Sequence, residues 1–398
     1  MQTQRTAPHL QQQRALVVGG GVAGPAVGMW LRRLGMQVEL AEQRGAGSVA
    51  EGAFLGIAPN GVNVLRELGI ADAVAAQAFP CSAFEFVNAA GRSIGHIDRS
   101  RDAQRFGAEL LMMRRGDLHR VLLHEAARRG VRVQLEQRLE ALEPGSGAGR
   151  VRVRFGAGGS SEAELVIGCD GLRSTTRALT QPGARPPSFT GLYDYGGFAP
   201  DVAIPAAPGV NLMLFGKRAF FGAFRSGGGE VWWFHNGPVE ARDGARERLL
   251  ELHADDPPWV RDVIGATPEL LGPWPLYELP PLDSWSTGSV CLIGDAAHAM
   301  PPSAGQGASL ALEDAMLLAL CLRDCDDPRA AFRSFERLRR PRVNAIARFA
   351  RRAGDGKAVE GRVRLWLRDR LLPTFLRLGG SAQDESYAYR VRWDSRIE

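Results

Sequence analysis

The sequence predicts an α/β protein with a parallel sheet at its centre, an inserted mixed β-sheet domain and C-terminal helices. Apolar runs of the kind that buried parallel strands require occur at Arg14–Val18, Gln37–Ala41, 163–167 and 289–293. Between the last two runs, residues 185–284 are rich in aromatic residues and in short alternating runs, a pattern typical of a β-sheet. The pattern therefore predicts a discontinuous α/β domain, with a second domain inserted in the chain between its parts.

The first run ends in a G-x-G-x-x-G motif that leads into a helical pattern, which is typical of a Rossmann-type dinucleotide site. Gly19 allows the turn, Gly21 lets the backbone approach a pyrophosphate, and Gly24 permits close packing of the helix on the strand. The predicted phosphate-binding residues are Gly19, Gly21, Val22, Ala23 and Gly24. Glu42, at the end of the second strand, is placed to accept ribose hydroxyls. The alternative is a glycine-rich turn without a ligand.

Two further motifs follow the other apolar runs. The first is Gly168-Cys-Asp-Gly-Leu-Arg-Ser-Thr-Thr-Arg177, and the second begins Gly294-Asp-Ala-Ala-His298 and continues through Pro302 to Gly305-Gln-Gly307. Together with the G-x-G-x-x-G motif, these two motifs resemble those of the FAD-dependent aromatic hydroxylases. These are the single-component flavoprotein monooxygenases typified by para-hydroxybenzoate hydroxylase. The resemblance covers residues 14 to about 350 and implies a Rossmann-type FAD-binding domain.

The resemblance assigns roles to residues of the second motif and its surroundings. Asp170 and Arg177 would support both FAD and NAD(P)H, Arg115 would contact FAD, and the backbone near Leu139 would meet the adenine. Read without the family, Asp170-Gly171 is a turn and Ser174 is a helix N-cap. Arg114, next to Arg115, is expected to be a solvated charge.

In the third motif, the Asp295 carboxylate can accept a hydrogen bond from a ribityl hydroxyl. A long helical pattern begins near Gly305, and its positive end would stabilise a reduced, anionic flavin. The predicted cofactor residues here are Asp295, Gly305, Gly307 and Ala308, with Pro302 in the active-site wall. His298 is a candidate general base, although an orienting and packing role is the favoured alternative. The family often carries Asn where this chain has Ser309, so the side-chain amide of that Asn is replaced here by a hydroxyl.

The predicted organisation is discontinuous. The FAD-binding domain comprises residues 14–80, 105–184 and 285–330, the substrate-binding sheet comprises 81–104 and 185–284, a helical segment spans 331–398, and 1–13 form a disordered tail. In the family this sheet covers the flavin, so candidate pocket residues are Phe215, Phe221, Phe224, Trp233 and His235. Because alternate strand residues face opposite sides, we expect fewer than half of them to line the pocket.

Composition excludes several other classes. A net charge of +5 is a modest excess, and the C-terminal arginines alternate with apolar residues, so solvated helix faces are favoured over nucleic-acid or membrane binding. The five cysteines form no C-x-x-C pair, and we expect no metal site. No apolar stretch is long enough to predict a membrane span, which favours a cytoplasmic protein. The oligomeric state is not predicted.

Only one G-x-G-x-x-G occurs, so NAD(P)H is expected to bind transiently and FAD non-covalently. The resemblance implies that NAD(P)H reduces FAD, that O₂ forms a flavin C4a-hydroperoxide, and that an aromatic or polyketide-like small molecule is hydroxylated in a dry pocket. Two alternatives remain open. One is a non-hydroxylating flavoenzyme, such as a reductase, dehydrogenase, halogenase or cyclase. The other is a catalytically silent FAD-binding protein.

Overall fold

The structure is a computed structural model of the 398-residue chain. It describes residues 7–45, 52–146, 149–156, 158–238, 240, 243–355, 367, 370, 371, 374 and 382–397.

The chain contains both strands and helices. The strands are β1 (Arg14–Val18), β2 (Gln37–Ala41), β3 (Phe54–Ile57), β4 (Phe79–Pro80), β5 (Ala83–Asn88), β6 (Ser93–Asp98), β7 (Leu111–Arg114), β8 (Arg132–Gln134), β9 (Leu139–Pro144), β10 (Val151–Phe155), β11 (Ser160–Ala163), β12 (Leu165–Gly168), β13 (Ser188–Ala199), β14 (Val210–Phe215), β15 (Phe220–Arg225), β16 (Val231–Gly237), β17 (Leu271–Glu278), β18 (Ser286–Thr287) and β19 (Val290–Leu292). The helices are α1 (Ala23–Arg33), α2 (Pro59–Leu68), α3 (Ala71–Ala75), α4 (Asp102–Phe106), α5 (Arg115–Arg128), α6 (Thr175–Thr180), α7 (Ala245–Leu252), α8 (Pro258–Ala266), α9 (Asp295–His298), α10 (Gly307–Asp324) and α11 (Pro328–Asp355), with 3₁₀ turns at Pro8–Leu10 and Pro302–Ala304.

The central sheet has the strand order β18-β19-β12-β1-β2-β8, and all its pairs except β18–β19 are parallel. We call it the parallel sheet. The apolar runs form β1 and β2 with the predicted bounds, since both strands are covered on both faces. Parallel strands bring their carboxyl ends to one edge, so Gly19, Glu42, Asp170 and Gly294 all follow strands at the same edge. The predicted α/β fold is confirmed.

The second large sheet has the order β17-β13-β16-β15-β14-β5-β6 within the described residues, and we call it the large sheet. Strands β5 and β6 come from the 81–104 segment, and the other strands come from the 185–284 segment. The two segments join through the parallel pair β5–β14, whereas the remaining pairs are antiparallel. The sheet is therefore mixed.

The large sheet has two buried faces that pack on different parts of the protein. On its inner face, Phe224 and Trp232 pack with Ala58 and Met112 of the α/β domain. Its outer face forms a separate hydrophobic core with residues of α7 and α8, including Leu249, Val260, Val263 and Ile264. Adjacent strand positions alternate between these two environments.

The N-terminal segment differs from the prediction. Ala7 and Leu10 are buried in the core of the α/β domain, so the expected disordered tail is wrong for residues 7–13. Residues 1–6 of that tail lie outside the described residues. Near the other end of the chain, α11 is followed by a described segment at 382–397, in which Trp393 stacks on Trp30 with ring centroids 4.7 Å apart.

Candidate active site

The turn after β1 shows which glycines serve the fold and which face open space. At Gly19, φ is +107°, and an added Cβ would lie 2.4 Å from the carbonyl oxygen of Cys169. A Cβ at Gly24 would lie 1.8 Å from the carbonyl oxygen of Gly19. At Gly21, an added Cβ would meet no atom within 4 Å. Gly19 and Gly24 are therefore required by packing, while Gly21 borders space that a ligand can fill.

Glu42 lies at the end of β2 and connects the two neighbouring strand ends. Its Oε2 accepts a hydrogen bond from the Gly20 amide at 2.5 Å, and its Oε1 accepts one from the Arg44 amide at 2.9 Å. The side chain is mostly buried. These bonds hold the carboxylate directly beside the glycine turn.

Arg115 and Asp295 lie in a recess at this edge, where solvent reaches both side chains although protein surrounds them. Burial lowers the pKa of Arg115, nearby Arg44 lowers it further, and Asp295 acts in the opposite direction. Burial raises the pKa of Asp295, while His298 and Arg115 partly offset that rise. Arg115 therefore lies near a second guanidinium, that of Arg44, and near the Asp295 carboxylate, and guanidinium groups of this kind can bind a phosphate. Sequence reasoning missed Arg44, although its place two residues after Glu42 was a usable signal.

The segment after β12 is held by its own hydrogen bonds. The Asp170 carboxylate accepts hydrogen bonds from the Ser174 hydroxyl at 2.5 Å and the Thr176 amide at 2.8 Å, and the Ser174 hydroxyl accepts one from the Arg177 amide at 2.9 Å. The Arg177 guanidinium donates to the carbonyl oxygens of Ala296 at 2.8 Å and of Leu172 at 2.6 Å. The turn-and-cap interpretation is confirmed, and Arg177 in addition ties this segment to α9.

Beneath α9 lies a buried charged network. Asp314 Oδ2 accepts a hydrogen bond from the Gly294 amide at 2.8 Å and lies 2.6 Å from His298 Nε2, while its Oδ1 accepts one from Arg339 at 2.7 Å. Burial alone would raise the pKa of Asp314, but His298 and Arg339 hold it below the usual range for a carboxyl. His298 is therefore engaged in orienting the Gly294 turn that presents Asp295.

The loop from Pro302 to the start of α10 borders open space. Pro302, Gly305 and Gly307 are exposed, and an added Cβ at either glycine would meet no atom within 4 Å. Ala308 follows in the first turn of α10. Ser309 is fully buried and accepts a hydrogen bond from the Ala58 amide at 3.0 Å, so it joins α10 to the residue that precedes α2.

Leu139 begins β9 and pairs with Phe155 of β10. Its side chain is buried in a small core with Leu16, Val18 and Phe155. The backbone contact with adenine that the resemblance implies near this residue stays a prediction.

Of the five candidate pocket residues, two lie on the inner face of the large sheet. They are Phe224, which packs on the α/β domain, and Phe215, whose ring lies 5.0 Å from that of Phe220. The prediction is wrong for Phe221, Trp233 and His235, because they are fully buried on the outer face against α7 and α8. Alternation along the strands had predicted such a division but not which residues fall on which side.

The inner face offers other residues that sequence reasoning missed. Register pairs Met213 with Gly222 and Gly222 with Phe234, so these three lie side by side on it. Met213 and Phe234 are only partly buried, and the Phe234 ring lies 6.2 Å from that of Phe54 on β3. The alternation of side chains along each strand divides these residues between the two faces of the sheet. The sequence alone does not show which of the two sets faces the α/β domain.

Arg114 also differs from the expectation. It is not a free solvated charge: its guanidinium donates to Glu230 at 2.6 Å and lies 3.9 Å from the ring centroid of Phe198. Trp232 donates to the same Glu230 carboxylate at 2.8 Å. Arg114 therefore bridges β7 and the large sheet.

The residues at this edge fit a flavin dinucleotide. Open space at Gly21, Gly305 and Gly307 adjoins the N-terminus of α1, and the arginines supply positive charge for a pyrophosphate. The inner face of the large sheet adds aromatic side chains. A dinucleotide cradle beside an aromatic sheet face is suited to an enzyme that holds its cofactor next to a small apolar molecule.

Comparison with known proteins agrees with this geometry. The FAD binding domain family matches residues 12–203 and 280–350. A 3-amino-4-hydroxybenzoate 2-monooxygenase of Streptomyces platensis is 33% identical over 393 residues, covering 92% of this chain and 93% of the relative. A 6-hydroxynicotinate 3-monooxygenase of Bordetella bronchiseptica is 31% identical and covers 84% of this chain and 90% of the relative. The Klebsiella pneumoniae HpxO structure with FAD and uric acid superimposes with a TM-score of 0.84 at 22% identity, covering 97% of this chain and 98% of that chain.

The chain belongs to the FAD binding domain family, within the single-component FAD-dependent aromatic hydroxylases. The part of the chain that the structure describes contains no helix with the length and apolar character needed to cross a membrane.

Proposed function

We propose that the protein is an FAD-dependent monooxygenase that uses NAD(P)H and O₂ to hydroxylate an aromatic or polyketide-like small molecule. One observation carries the proposal: the flavin cradle lies beside a sheet face where Phe234 and Met213 are partly buried, with the partly buried Phe54 ring of β3 close to Phe234. Such a wall favours a flat, apolar ring. The named relatives, which act on aminohydroxybenzoate and hydroxynicotinate, support the same reaction class.

The proposed cofactor residues divide by the part of FAD they would hold. Gly19 to Gly24 and the N-terminus of α1 would bind the pyrophosphate, with Arg115 and Arg44 supplying positive charge. Glu42 would accept the ribose hydroxyls, and Asp295 would accept a ribityl hydroxyl. When bound, FAD would supply hydride acceptance from NAD(P)H and the activation of O₂.

The chain's own groups would position the reactants and exclude water. Pro302, Gly305, Gly307 and Ala308 would form one wall, with the helix-end amides of α10 directed at the flavin ring. The inner face of the large sheet would form the opposite wall. We assign His298 an orienting role, because Asp314 already engages its Nε2. No protein nucleophile is needed for this reaction.

The proposal includes a small-molecule partner and a cytoplasmic location, since NAD(P)H is a cytoplasmic reductant. The proposed substrates are small molecules that contain an electron-rich ring.

A coupled oxidation assay tests the function. Phenols, hydroxylated heteroaromatics and polyketides are screened for faster NAD(P)H oxidation together with a smaller fraction of O₂ released as H₂O₂. With a positive compound, ¹⁸O₂ is expected to place one labelled oxygen in the product. Oxidation of substrate that continues without O₂, or product oxygen that comes from labelled water, would instead establish a non-hydroxylating flavoenzyme. Bound FAD without any turnover would support a silent FAD-binding protein.

A further inference from the structure

Helix α10 carries two adjacent carboxylates, Glu313 and Asp314, and Arg339 of α11 contacts both of them. Arg339 Nη1 donates to Glu313 Oε2 at 2.8 Å, and Arg339 Nε donates to Asp314 Oδ1 at 2.7 Å. Its Nη2 lies 3.4 Å from the Leu310 carbonyl oxygen, which is also in α10. All three charged side chains are fully buried. Because a guanidinium is planar and rigid, Arg339 holds the two carboxylates in one defined arrangement.

The Asp314 carboxylate connects Arg339 to the turn that presents Asp295. Asp314 Oδ2 accepts a hydrogen bond from the Gly294 amide at 2.8 Å and lies 2.6 Å from His298 Nε2. Gly294 is the N-cap of α9, and Asp295 is the first residue of that helix. A shift of the Asp314 carboxylate would therefore move the backbone that carries Asp295.

The Glu313 carboxylate connects Arg339 to the start of α10. Glu313 Oε1 accepts a hydrogen bond from Asn60 Nδ2 at 2.7 Å, and the same nitrogen donates to Gln306 Oε1 at 3.0 Å. Gln306 is the N-cap of α10 and lies between Gly305 and Gly307, which border open space. Among the described residues Gln306 Nε2 has no hydrogen-bond partner, so the bond from Asn60 is the one that orients this side chain.

A second arginine balances the charge of this network without joining its two branches. Arg342 donates to Glu313 through Nε at 2.9 Å and through Nη2 at 2.8 Å, so two guanidiniums face two carboxylates. Arg342 pairs with Glu313, whereas Arg339 pairs with both Glu313 and Asp314. Since transfer of charged groups out of water offsets much of the energy of their pairing, a buried network of this kind is suited to fixing geometry more than to adding stability.

We propose that Arg339 is a positioning residue for the flavin site, an inference that rests on the placement of FAD in the proposed function. Through Asp314 it orients the turn that presents Asp295. Through Glu313 it orients the N-cap of α10. These two segments would contact different parts of the cofactor, the ribityl chain and the flavin ring, so one guanidinium sets their relative position.

Replacement of Arg339 by lysine tests the proposal. Arg339→Lys keeps a buried positive charge but loses the planar fork that reaches both carboxylates. We expect FAD affinity to fall about five- to tenfold, because a site whose supporting contacts are loosened binds its ligand less well. At saturating FAD, the visible circular dichroism of the bound flavin should differ from that of the parent enzyme. Fluorescence titration of FAD-depleted protein measures the affinity, and neither measurement requires substrate or turnover.

Arg323→Lys is the matched control. Arg323 is also a buried arginine, but it lies near the opposite end of α10, where it donates to Asp324 at 2.7 Å and to the Trp393 carbonyl oxygen. This variant should lower the Tm while leaving the FAD affinity and the flavin circular dichroism unchanged. Because both variants remove a buried guanidinium, the comparison separates lost positioning from lost stability.

Asn60→Ala tests the α10 branch separately and serves if Arg339→Lys does not fold. It leaves both ion pairs of Arg339 in place but removes the link between Glu313 and Gln306. FAD affinity should fall about three- to fivefold. In a double variant with Arg339→Lys, the two losses should be less than additive, because both substitutions act on the same N-cap.

The proposal is overturned if Arg339→Lys, or Asn60→Ala where Arg339→Lys does not fold, keeps the parent flavin circular dichroism and binds FAD within about twofold of the parent affinity. Equal changes in Arg323→Lys would overturn it as well. A parent chain that binds no FAD would overturn both this proposal and the proposed function. A parent chain that binds FAD but hydroxylates no substrate would contradict the proposed function alone.

Discussion

The edge of the parallel sheet and the inner face of the large sheet carry the two halves of the proposed active site, and they are built differently. At the edge, glycines and backbone amides form most of the site, with Glu42 directly after β2 and Asp295 at the start of α9. On the large sheet, the side chains form the wall, and whether a residue belongs to it depends on which face it occupies. Sequence motifs therefore locate a site formed by backbone, whereas the residues of a site formed by side chains are known only from the packing of the whole sheet.

The largest effect is expected from the same substitution, glycine to valine, at two positions in the turn after β1. Gly24→Val should destabilise the fold by more than about 4 kcal/mol, because its Cβ would lie 1.8 Å from the Gly19 oxygen. Gly21→Val should fold, since its Cβ meets no protein atom within 4 Å, yet it should lose FAD. Flavin absorbance per chain and thermal unfolding of the apoprotein separate the two effects. Full FAD occupancy in Gly21→Val would contradict the phosphate-binding assignment.

The next pair contrasts the two faces of the large sheet at adjacent positions. Trp233→Ala should cost about 3–5 kcal/mol of unfolding free energy, because the ring is fully buried and its Nε1 donates to Thr267 at 2.7 Å. Phe234→Ala should cost less, since that ring is only partly buried, but it should raise the substrate KM and the fraction of O₂ released as H₂O₂. Urea unfolding and the coupling ratio measure these outcomes. Equal coupling in Phe234→Ala and the parent enzyme would remove Phe234 from the proposed wall.

A smaller effect should appear as a pH dependence of the outer face. His235 Nδ1 lies 2.9 Å from His253 Nε2, and His253 Nδ1 lies 2.7 Å from Asp256. Burial lowers the pKa of His235, and His253 lowers it further. Because the pKa of an unfolded histidine is about 6.5, the unfolded chain takes up this proton first on acidification. The stabilisation is complete above about pH 6.5 and is lost as the pH falls below that value.

His235→Gln should therefore show a flatter decline of Tm between about pH 7 and pH 5.5 than the parent protein. His96→Gln is the matched control, because the His96 side chain is 55% exposed. An identical pH slope in the His235 variant and the parent would show that this histidine does not contribute to acid sensitivity.

The smallest effect concerns the bridge between the two halves. Arg114→Ala should cost at most about 1 kcal/mol, because Arg114 and Glu230 are both partly exposed and solvent screens their ion pair. Thermal unfolding at low and high salt measures the loss, with Arg120→Ala, whose side chain is 66% exposed, as the control. A larger, salt-independent loss would assign the contribution to stacking on Phe198 and not to charge.

Sequence reasoning succeeded where local pattern decides structure. The bounds of β1 and β2 follow from continuous apolar runs, and the turn after β1 follows from glycine spacing, because each depends on a few adjacent residues. It failed for Leu10, which looked like part of a tail and is buried in the core. The residues around Leu10 in the sequence give no indication that this side chain packs into the core of the α/β domain.

The sequence by itself determined that this chain forms a parallel α/β sheet with a dinucleotide cradle at its carboxyl edge, since glycines, strand ends and short spacings encode that edge locally. Only the tertiary structure decided that Phe224 faces the α/β domain while Phe221, Trp233 and His235 face α7 and α8. It also decided that Asp314 engages His298. The physical reason is that successive side chains of a strand point to opposite faces of the sheet, and the strand's own sequence does not determine which face is buried against which neighbour. That choice is made by elements distant in the chain that pack against it.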